Sequence, residues 1–241
     1  MFPILHHHLN QMLLGRTPAN LTILGSLWPD LAVFSGCSRD EAHKCGRAVY
    51  ALAAEQYKAG LPFAGGIISH AVADYYGDEK WGSPSNGYCF QAALPYLAQV
   101  AAATKLPARY IPWKGHNFVE MAFELITAEN HPEYGPAILA ALADENTLAT
   151  ACELMQLYNG MPPGFCQTAL LQGREIFALE GCDAVCLAET QHLSYIRLFS
   201  HDSADQEAMI SLLRQMAKEL QVSYDSFIPQ LLDLMRQSVP L

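Results

Sequence analysis

Two histidine–carboxylate pairs with the same spacing occur in the first half of the chain. His70 precedes Asp74 by four positions, and His116 precedes Glu120 by four positions. Residues four apart lie on one face of a helix, with Cβ atoms about 5–6 Å apart, so an imidazole and a carboxylate can converge on one cation. Both pairs stand in mostly apolar segments, where a polar group without a partner is costly. Helical bundles build metal sites in this way, from side chains on facing helices.

A third feature is the segment LGSLWPD, which ends in Pro29-Asp30 and is followed thirteen positions later by His43. Pro29 fixes its own φ and restricts the residue before it, so we expect Asp30 to leave a rigid turn rather than a helix face. Taken alone, Asp30 is more often a helix N-cap, and His43 more often a residue of a polar helix face. Each histidine–carboxylate pair, taken alone, is equally well explained by a hydrogen bond or an ion pair without a metal.

Together these features form a set of imidazoles and carboxylates that needs no thiolate. Such a set suits zinc or another borderline divalent ion in a catalytic site, where open positions hold water. The residues that make up the set are Asp30, His43, His70, Asp74, His116 and Glu120, with one of His6, His7 or His8.

Composition excludes several classes of protein. Of the 241 residues, 51% are hydrophobic and 16% are charged, which indicates one sizeable core and no disordered chain. Fourteen Lys and Arg against 24 Asp and Glu give a net charge of −10, so we expect no stable nucleic-acid binding. No apolar run is long enough to span a membrane, and the first residues lack the basic region of a signal peptide. We therefore expect a cytoplasmic protein whose seven cysteines are reduced.

The elements that must position these residues are predicted to be helices, because strand patterns are nearly absent and the hydrophobic periods are helical. We expect an all-α protein with a metal-binding helical core in residues 1–130 and a C-terminal helical region, 131–241, packed on it. The predicted helices cover 41–59, 63–76, 86–104, 114–128, 134–158, 165–180, 183–199, 203–220 and 223–238.

The segments LGSLWPD, GGIISHAVADYY and GHNFVE resemble the zinc-dependent phospholipase C family, which is related to the zinc-dependent single-strand nucleases. That family has an N-terminal His, a Pro-Asp turn, a His about a dozen residues later, a His-x-x-x-Asp helix and a His-x-x-x-Glu/Asp helix. Residues 6–120 keep this order. The resemblance implies an all-α multi-helix bundle, here with a helical C-terminal extension, and a cluster of three zinc ions that hydrolyses phosphate esters.

The resemblance also implies a role for each residue of the set. A first ion would be held by Asp30, His43, His70 and Asp74. Asp74 would bridge to a second ion held by the N-terminal histidine. For that ligand we favour His8, which lies nearest the helix body, with His6 almost as suitable. His116 and Glu120 would contribute to a further site.

One departure from the family concerns the site of His116 and Glu120. The family completes that site with another histidine shortly after the His-x-x-x-Asp helix, whereas residues 75–87 contain none. Asp78 or Glu79 are the substitutes that the segment offers. We therefore expect one to three ions, zinc or another divalent metal.

These residues predict a phospholipase C-like phosphoesterase that hydrolyses a phosphodiester by attack of metal-bound hydroxide, with Asp30 accepting the proton of the attacking water. The expected partner is a small phosphate ester or a phospholipid head group, and a homo-oligomer is compatible with the sequence. Two alternatives stay open. One is a nuclease or nucleotide phosphoesterase that uses the same site, and the other is a non-catalytic helical protein with a vestigial metal site.

Overall fold

The structure, a computed structural model, describes residues 3–79, 87–176 and 181–240. All regular secondary structure in these ranges is helical, which confirms the all-α class. The α-helices of these ranges are α1 (Pro3–Leu14), α2 (Asn20–Phe34), α3 (Arg39–Lys44), α4 (Gly46–Gln56), α5 (Leu61–Asp74), α6 (Tyr88–Ala93), α7 (Leu97–Thr104), α8 (Ile111–Asn130), α9 (Tyr134–Ala143), α10 (Glu145–Asn159), α11 (Pro163–Ile176), α12 (Ala184–Phe199) and α13 (Gln206–Ser238). A π-helical turn, Tyr75–Glu79, continues α5.

Several predicted helices have different bounds in the structure. The segment 41–59 is divided into α3 and α4, and 134–158 is divided at Asp144, whose side chain accepts hydrogen bonds from the first turn of α10. Such a cap satisfies free N–H groups and so begins a new helix. Conversely, 203–220 and 223–238 form the single helix α13, because its apolar stripe runs without interruption along one face. Residues 177–180 of the predicted 165–180 helix lie outside the described ranges.

The expectation that Pro29 places Asp30 in a turn is wrong, because both residues lie inside α2. A proline inside a helix costs about 3 kcal/mol. That cost is tolerated here because α2 is buried on nearly every side, against α5 and against α9 to α11. Asp30 therefore projects from a helix, and its direction is set by the helix period.

The helices after residue 131 pack onto the earlier helices at two places. Helices α9, α10 and α11 pack against α2, whereas α13 packs against α7 and α8. Two apolar cores result, one around Trp28 and Phe63 and the other around Phe118 and Phe123. Helices α1 and α5 contribute residues to both cores, so the helices that carry the candidate ligands are fixed from two sides.

Helices α2 and α5 approach closely at two glycines, Gly25 and Gly66. A Cβ atom built on either glycine would overlap a main-chain carbonyl oxygen of the facing helix. Glycine is the residue that permits such a close approach of two backbones. The approach places Asp30, on α2, beside His70, on α5.

We expect Gly66→Ala to lower the free energy of unfolding by about 2 kcal/mol or more, because rigid backbone would have to move to admit the methyl group. Chemical denaturation measures this change. The matched control is Gly65→Ala, one residue away in the same helix, where a Cβ would meet no atom within 4 Å. The control should be neutral or stabilise by up to about 1 kcal/mol. Equal effects of the two substitutions would contradict the close approach.

Candidate metal centre

One group of potential metal ligands comes from three helices. Asp30 projects from α2, His43 from α3, and His70 and Asp74 from α5, and one ligand atom of each lies within 4.8 Å of the others. These are the four residues for which the resemblance of the sequence segments implies the first ion. The donor set of two imidazoles and two carboxylates is one that zinc accepts.

The two histidines of this first group are held in matching orientations. Nδ1 of His70 lies 2.7 Å from the main-chain oxygen of Ser26, and Nδ1 of His43 lies 3.0 Å from that of Arg39. Because a carbonyl oxygen can only accept, Nδ1 of each ring donates and keeps its proton. The Nε2 atoms of both rings are buried and face carboxylate oxygens of Asp30 and Asp74. This is the orientation that metal-binding histidines adopt.

Asp74 connects the first group to the N-terminal helix. Its Oδ2 lies 3.2 Å from Nε2 of His70 and 3.3 Å from Nε2 of His43, while its Oδ1 lies 3.5 Å from Nε2 of His6. The His6 ring also stacks on the His70 ring, with 4.1 Å between centroids. The two oxygens of Asp74 thus face different imidazoles, as a bridging carboxylate does.

His8, the residue favoured for the N-terminal ligand, is placed away from this group. Its Nδ1 lies 3.3 Å from the hydroxyl of Tyr134, and its ring stacks on His131. Two residues in a helix are separated by about 200° of rotation, so His6 and His8 face opposite sides of α1. His6 is therefore the histidine of the triplet that reaches Asp74.

A buried carboxylate holds α1 in place. The two oxygens of Glu124, on α8, accept the main-chain N–H groups of Ile4 and Leu5 at 2.8 and 2.6 Å. These N–H groups belong to the first turn of α1, where helices lack internal acceptors. Glu124 thereby fixes the rotation of α1, the helix that carries His6, and its position along its own axis.

A second group of potential ligands lies beside the first. It consists of Asp78, His116 and Glu120, with ligand atoms within 4.8 Å of one another. Asp78 lies in the π-helical turn after α5, and π-helical turns are frequent at functional sites. Its Oδ1 is buried without a hydrogen-bond partner within the described ranges and lies 3.7 Å from Nε2 of His116. Of the two substitutes that the sequence offers for the missing histidine, Asp78 is the one that joins this group, and Glu79 is exposed.

Arg39 bridges the two groups. One of its guanidinium nitrogens lies 3.0 Å from Oδ2 of Asp78 and 3.8 Å from Oδ2 of Asp74. The two carboxylates therefore lie close enough to share one cationic side chain. Two dications bound by these groups would be close neighbours, as they are in two-metal sites.

The pKa values of these residues reflect their burial and the charges of their neighbours. Burial alone would lower the pKa of His43, but the carboxylates of Asp30 and Asp74 outweigh it and raise that pKa to about 10. Burial raises the pKa of Asp78 to about 7 and that of Glu120 well above its ordinary value. Without a cation, the two groups thus retain protons at positions where a cation would bind.

We expect cation binding to release protons and to weaken as pH falls from 8 to 6. The sign follows from the raised pKa values, because His43 and Asp78 must lose protons to become ligands, and acid restores those protons. Each displaced proton changes the apparent association constant about tenfold per pH unit. Calorimetry of zinc binding in buffers of different ionisation enthalpy counts the protons. Fewer protons should be released by Asp78→Asn, and zinc binding that releases none at pH 7 would contradict this assignment.

An open cleft adjoins the first group. It has a volume of about 390 Å³, and its wall includes His43, Asp74, Arg39 and Tyr75. The candidate metal centre is therefore reachable from solvent on one side, whereas its other sides are closed by α2 and α5.

Two residues of this centre, Arg39 and Glu124, were missed by reasoning from the sequence. Arg39 precedes His43 by four positions and Glu124 follows Glu120 by four, so each lies on the same helix face as a predicted ligand. That spacing could have identified both Arg39 and Glu124 as candidates. Which of them faces the centre and which contacts α1 depends on the packing of separate helices.

Comparison of this chain with protein-family models, with curated proteins and with solved structures gives no match. Within the described ranges, no helix is long and apolar enough to cross a membrane.

Proposed function

We propose that this protein is a metal-dependent phosphoesterase, with zinc as its cation, and that it is similar to the zinc-dependent phospholipase C family. One observation carries the proposal. Two groups of histidines and carboxylates share the α5 segment and Arg39, and the first of them forms part of the wall of an open cleft. The order of the ligands along the chain is also the order that the family shows.

The geometry favours phosphate esters over other substrates. Two neighbouring dications stabilise both the attacking and the departing oxygen of an in-line displacement at phosphorus. A guanidinium offers N–H groups in a planar fork that matches two phosphoryl oxygens. The place of Arg39 between the two groups brings both requirements together.

The residues of the centre would have different roles in the reaction. Bound dications supply Lewis-acid activation of the phosphoryl group and of the attacking water. His43 and His70 hold their Nε2 atoms in position through their Nδ1 hydrogen bonds. Asp30 is proposed to accept the proton of the attacking water, because it approaches from α2, opposite the α5 ligands. The apolar surroundings of α2 and α5 exclude other water.

A nucleotide phosphoesterase on the same centre is the second candidate. Tyr75 lines the cleft with 39% of its surface exposed and packs edge-on against Tyr76. An exposed aromatic ring beside a phosphate site can stack on a base. A marked preference for nucleotide esters over simple aryl esters would favour this candidate.

The test is hydrolysis of bis(4-nitrophenyl) phosphate and 4-nitrophenyl phosphate by protein purified without metal-chelating resin and reconstituted with zinc. We expect two or more zinc equivalents per chain and hydrolysis that is lost on chelation and restored by zinc. Bound zinc without hydrolysis of these esters, or of phospholipid and nucleotide substrates, would favour a non-catalytic protein with a vestigial site. Absence of bound metal after zinc addition would overturn the proposal.

A further inference from the structure

The cleft beside the metal centre is rich in basic side chains for so acidic a chain. Arg39, Lys44 and Arg47 all line it, although the whole chain has only 14 Lys and Arg and a net charge of −10. Arg39 and Lys44 lie on α3, and Arg47 lies in the first turn of α4. Arg39, His43 and Arg47 follow one another at intervals of four residues, so they lie on the same side of the α3–α4 segment.

The three basic side chains differ in how their charge is balanced. Nζ of Lys44 lies 2.8 Å from Oδ2 of Asp40, and Glu79 also lies in the cleft wall, so Lys44 is neutralised at the rim. Arg47 is different, because within the described ranges no carboxylate forms an ion pair with it. Its guanidinium donates one hydrogen bond, at 3.2 Å, to the main-chain oxygen of Ser238.

Arg47 therefore presents donors that the described part of the chain does not use. A guanidinium carries five N–H donors, and the bond to Ser238 uses one nitrogen. Arg39 would gain free donors too, since its present acceptors, Asp74 and Asp78, are the carboxylates that a bound cation would engage. A ligand that carries two separate anionic groups can satisfy both arginines.

The rest of the cleft is suited to a short apolar linkage between those groups. Ile68, Ala71 and Val72, from α5, line it together with Tyr75 and Tyr76. A volume of about 390 Å³ is at the lower end of ordinary small-molecule sites. The two acidic side chains of the wall outside the ligand groups, Asp40 and Glu79, both interact with Lys44.

We propose that the cleft binds a phosphate ester whose organic group carries a second negative charge, a carboxylate or another phosphate, and that Arg47 contacts that charge. This inference rests on the proposed phosphoesterase function and names the substrate class of the same site. Arg39 contacts the phosphoryl group, and Arg47 selects the organic group. A zwitterionic ester such as a phosphocholine is disfavoured.

Two phosphonates of equal length and opposite tail charge test the proposal. Binding of 3-phosphonopropionate and of 3-aminopropylphosphonate to the zinc-loaded protein is measured by calorimetry. We expect the carboxylate compound to bind about tenfold or more tightly, as a charge-assisted hydrogen bond allows. Arg47→Gln should abolish this preference, and Arg47→Lys should restore part of it. The control is Arg214→Gln, an exposed arginine of α13 outside the cleft, which should change neither affinity.

The outcomes separate this inference from the function on which it rests. Equal affinities, a tighter amine compound, or a preference that survives Arg47→Gln would overturn the inference, while hydrolysis of bis(4-nitrophenyl) phosphate would still support the phosphoesterase. Failure of both phosphonates to bind the zinc-loaded protein would overturn the inference, and only the absence of ester hydrolysis as well would overturn the phosphoesterase. Arg47 is exposed, so its variants are expected to fold, and thermal melting verifies this.

Discussion

Replacement of His70 by alanine is expected to remove one zinc equivalent and to lower phosphoesterase activity by at least about 100-fold. Loss of a side chain that merely hydrogen-bonds a metal ligand already costs up to about 100-fold, and loss of a ligand itself should cost at least as much. The His70 side chain is fully buried, its Nδ1 is fixed by Ser26, and its Nε2 faces Asp30 and Asp74. Loss of the imidazole therefore removes a nitrogen that is held at that point. Elemental analysis and hydrolysis of bis(4-nitrophenyl) phosphate measure the two effects.

Two further variants make this result specific. His116→Ala should remove a zinc equivalent from the second group while leaving the first group loaded. His192→Ala, in α12 and outside both groups, should keep the full metal content. Because His70→Ala leaves a cavity in a buried place, circular dichroism must show that the variant folds. A folded His70→Ala protein with undiminished zinc would refute the assignment of the first group.

The second large effect is expected from Asp30→Asn. The amide keeps an oxygen at the same position but cannot accept a proton, so activity should fall by about 10²–10⁴-fold while most of the zinc remains. In the wild type, charges and hydrogen bonds from His70 and His43 overcome the effect of burial and hold the pKa of Asp30 well below its ordinary value. Asp30 is therefore ionised over the whole neutral range.

Metal content and activity must be measured on the same Asp30→Asn preparation. Parallel loss of zinc and of activity would make Asp30 a ligand without a separate role in proton transfer. Retained activity would exclude it from the chemistry. The matched comparison is Asp144→Asn, since Asp144 is a helix cap remote from both groups and should affect stability but not hydrolysis.

The fold class and most of the candidate ligands can be predicted from the amino-acid sequence. Helical periods and i, i+4 pairs are local properties, so spacing alone places His70 with Asp74, and His116 with Glu120, on shared helix faces. A polar residue in an apolar helix also indicates that its side chain has a buried polar partner, because burial without one is costly. These inferences need only the geometry of a single helix.

Which separate helices meet at the centre, and how each is rotated about its axis, depends on the packing of the whole chain. This packing selected His6 over His8, brought Asp78 rather than Glu79 to His116, and placed Arg39 between the two groups. It also kept Pro29 inside a helix, because burial of α2 outweighs a missing hydrogen bond. Contacts between helices depend on side chains far apart in the chain, such as the close approach of α2 and α5, and a local pattern cannot specify them.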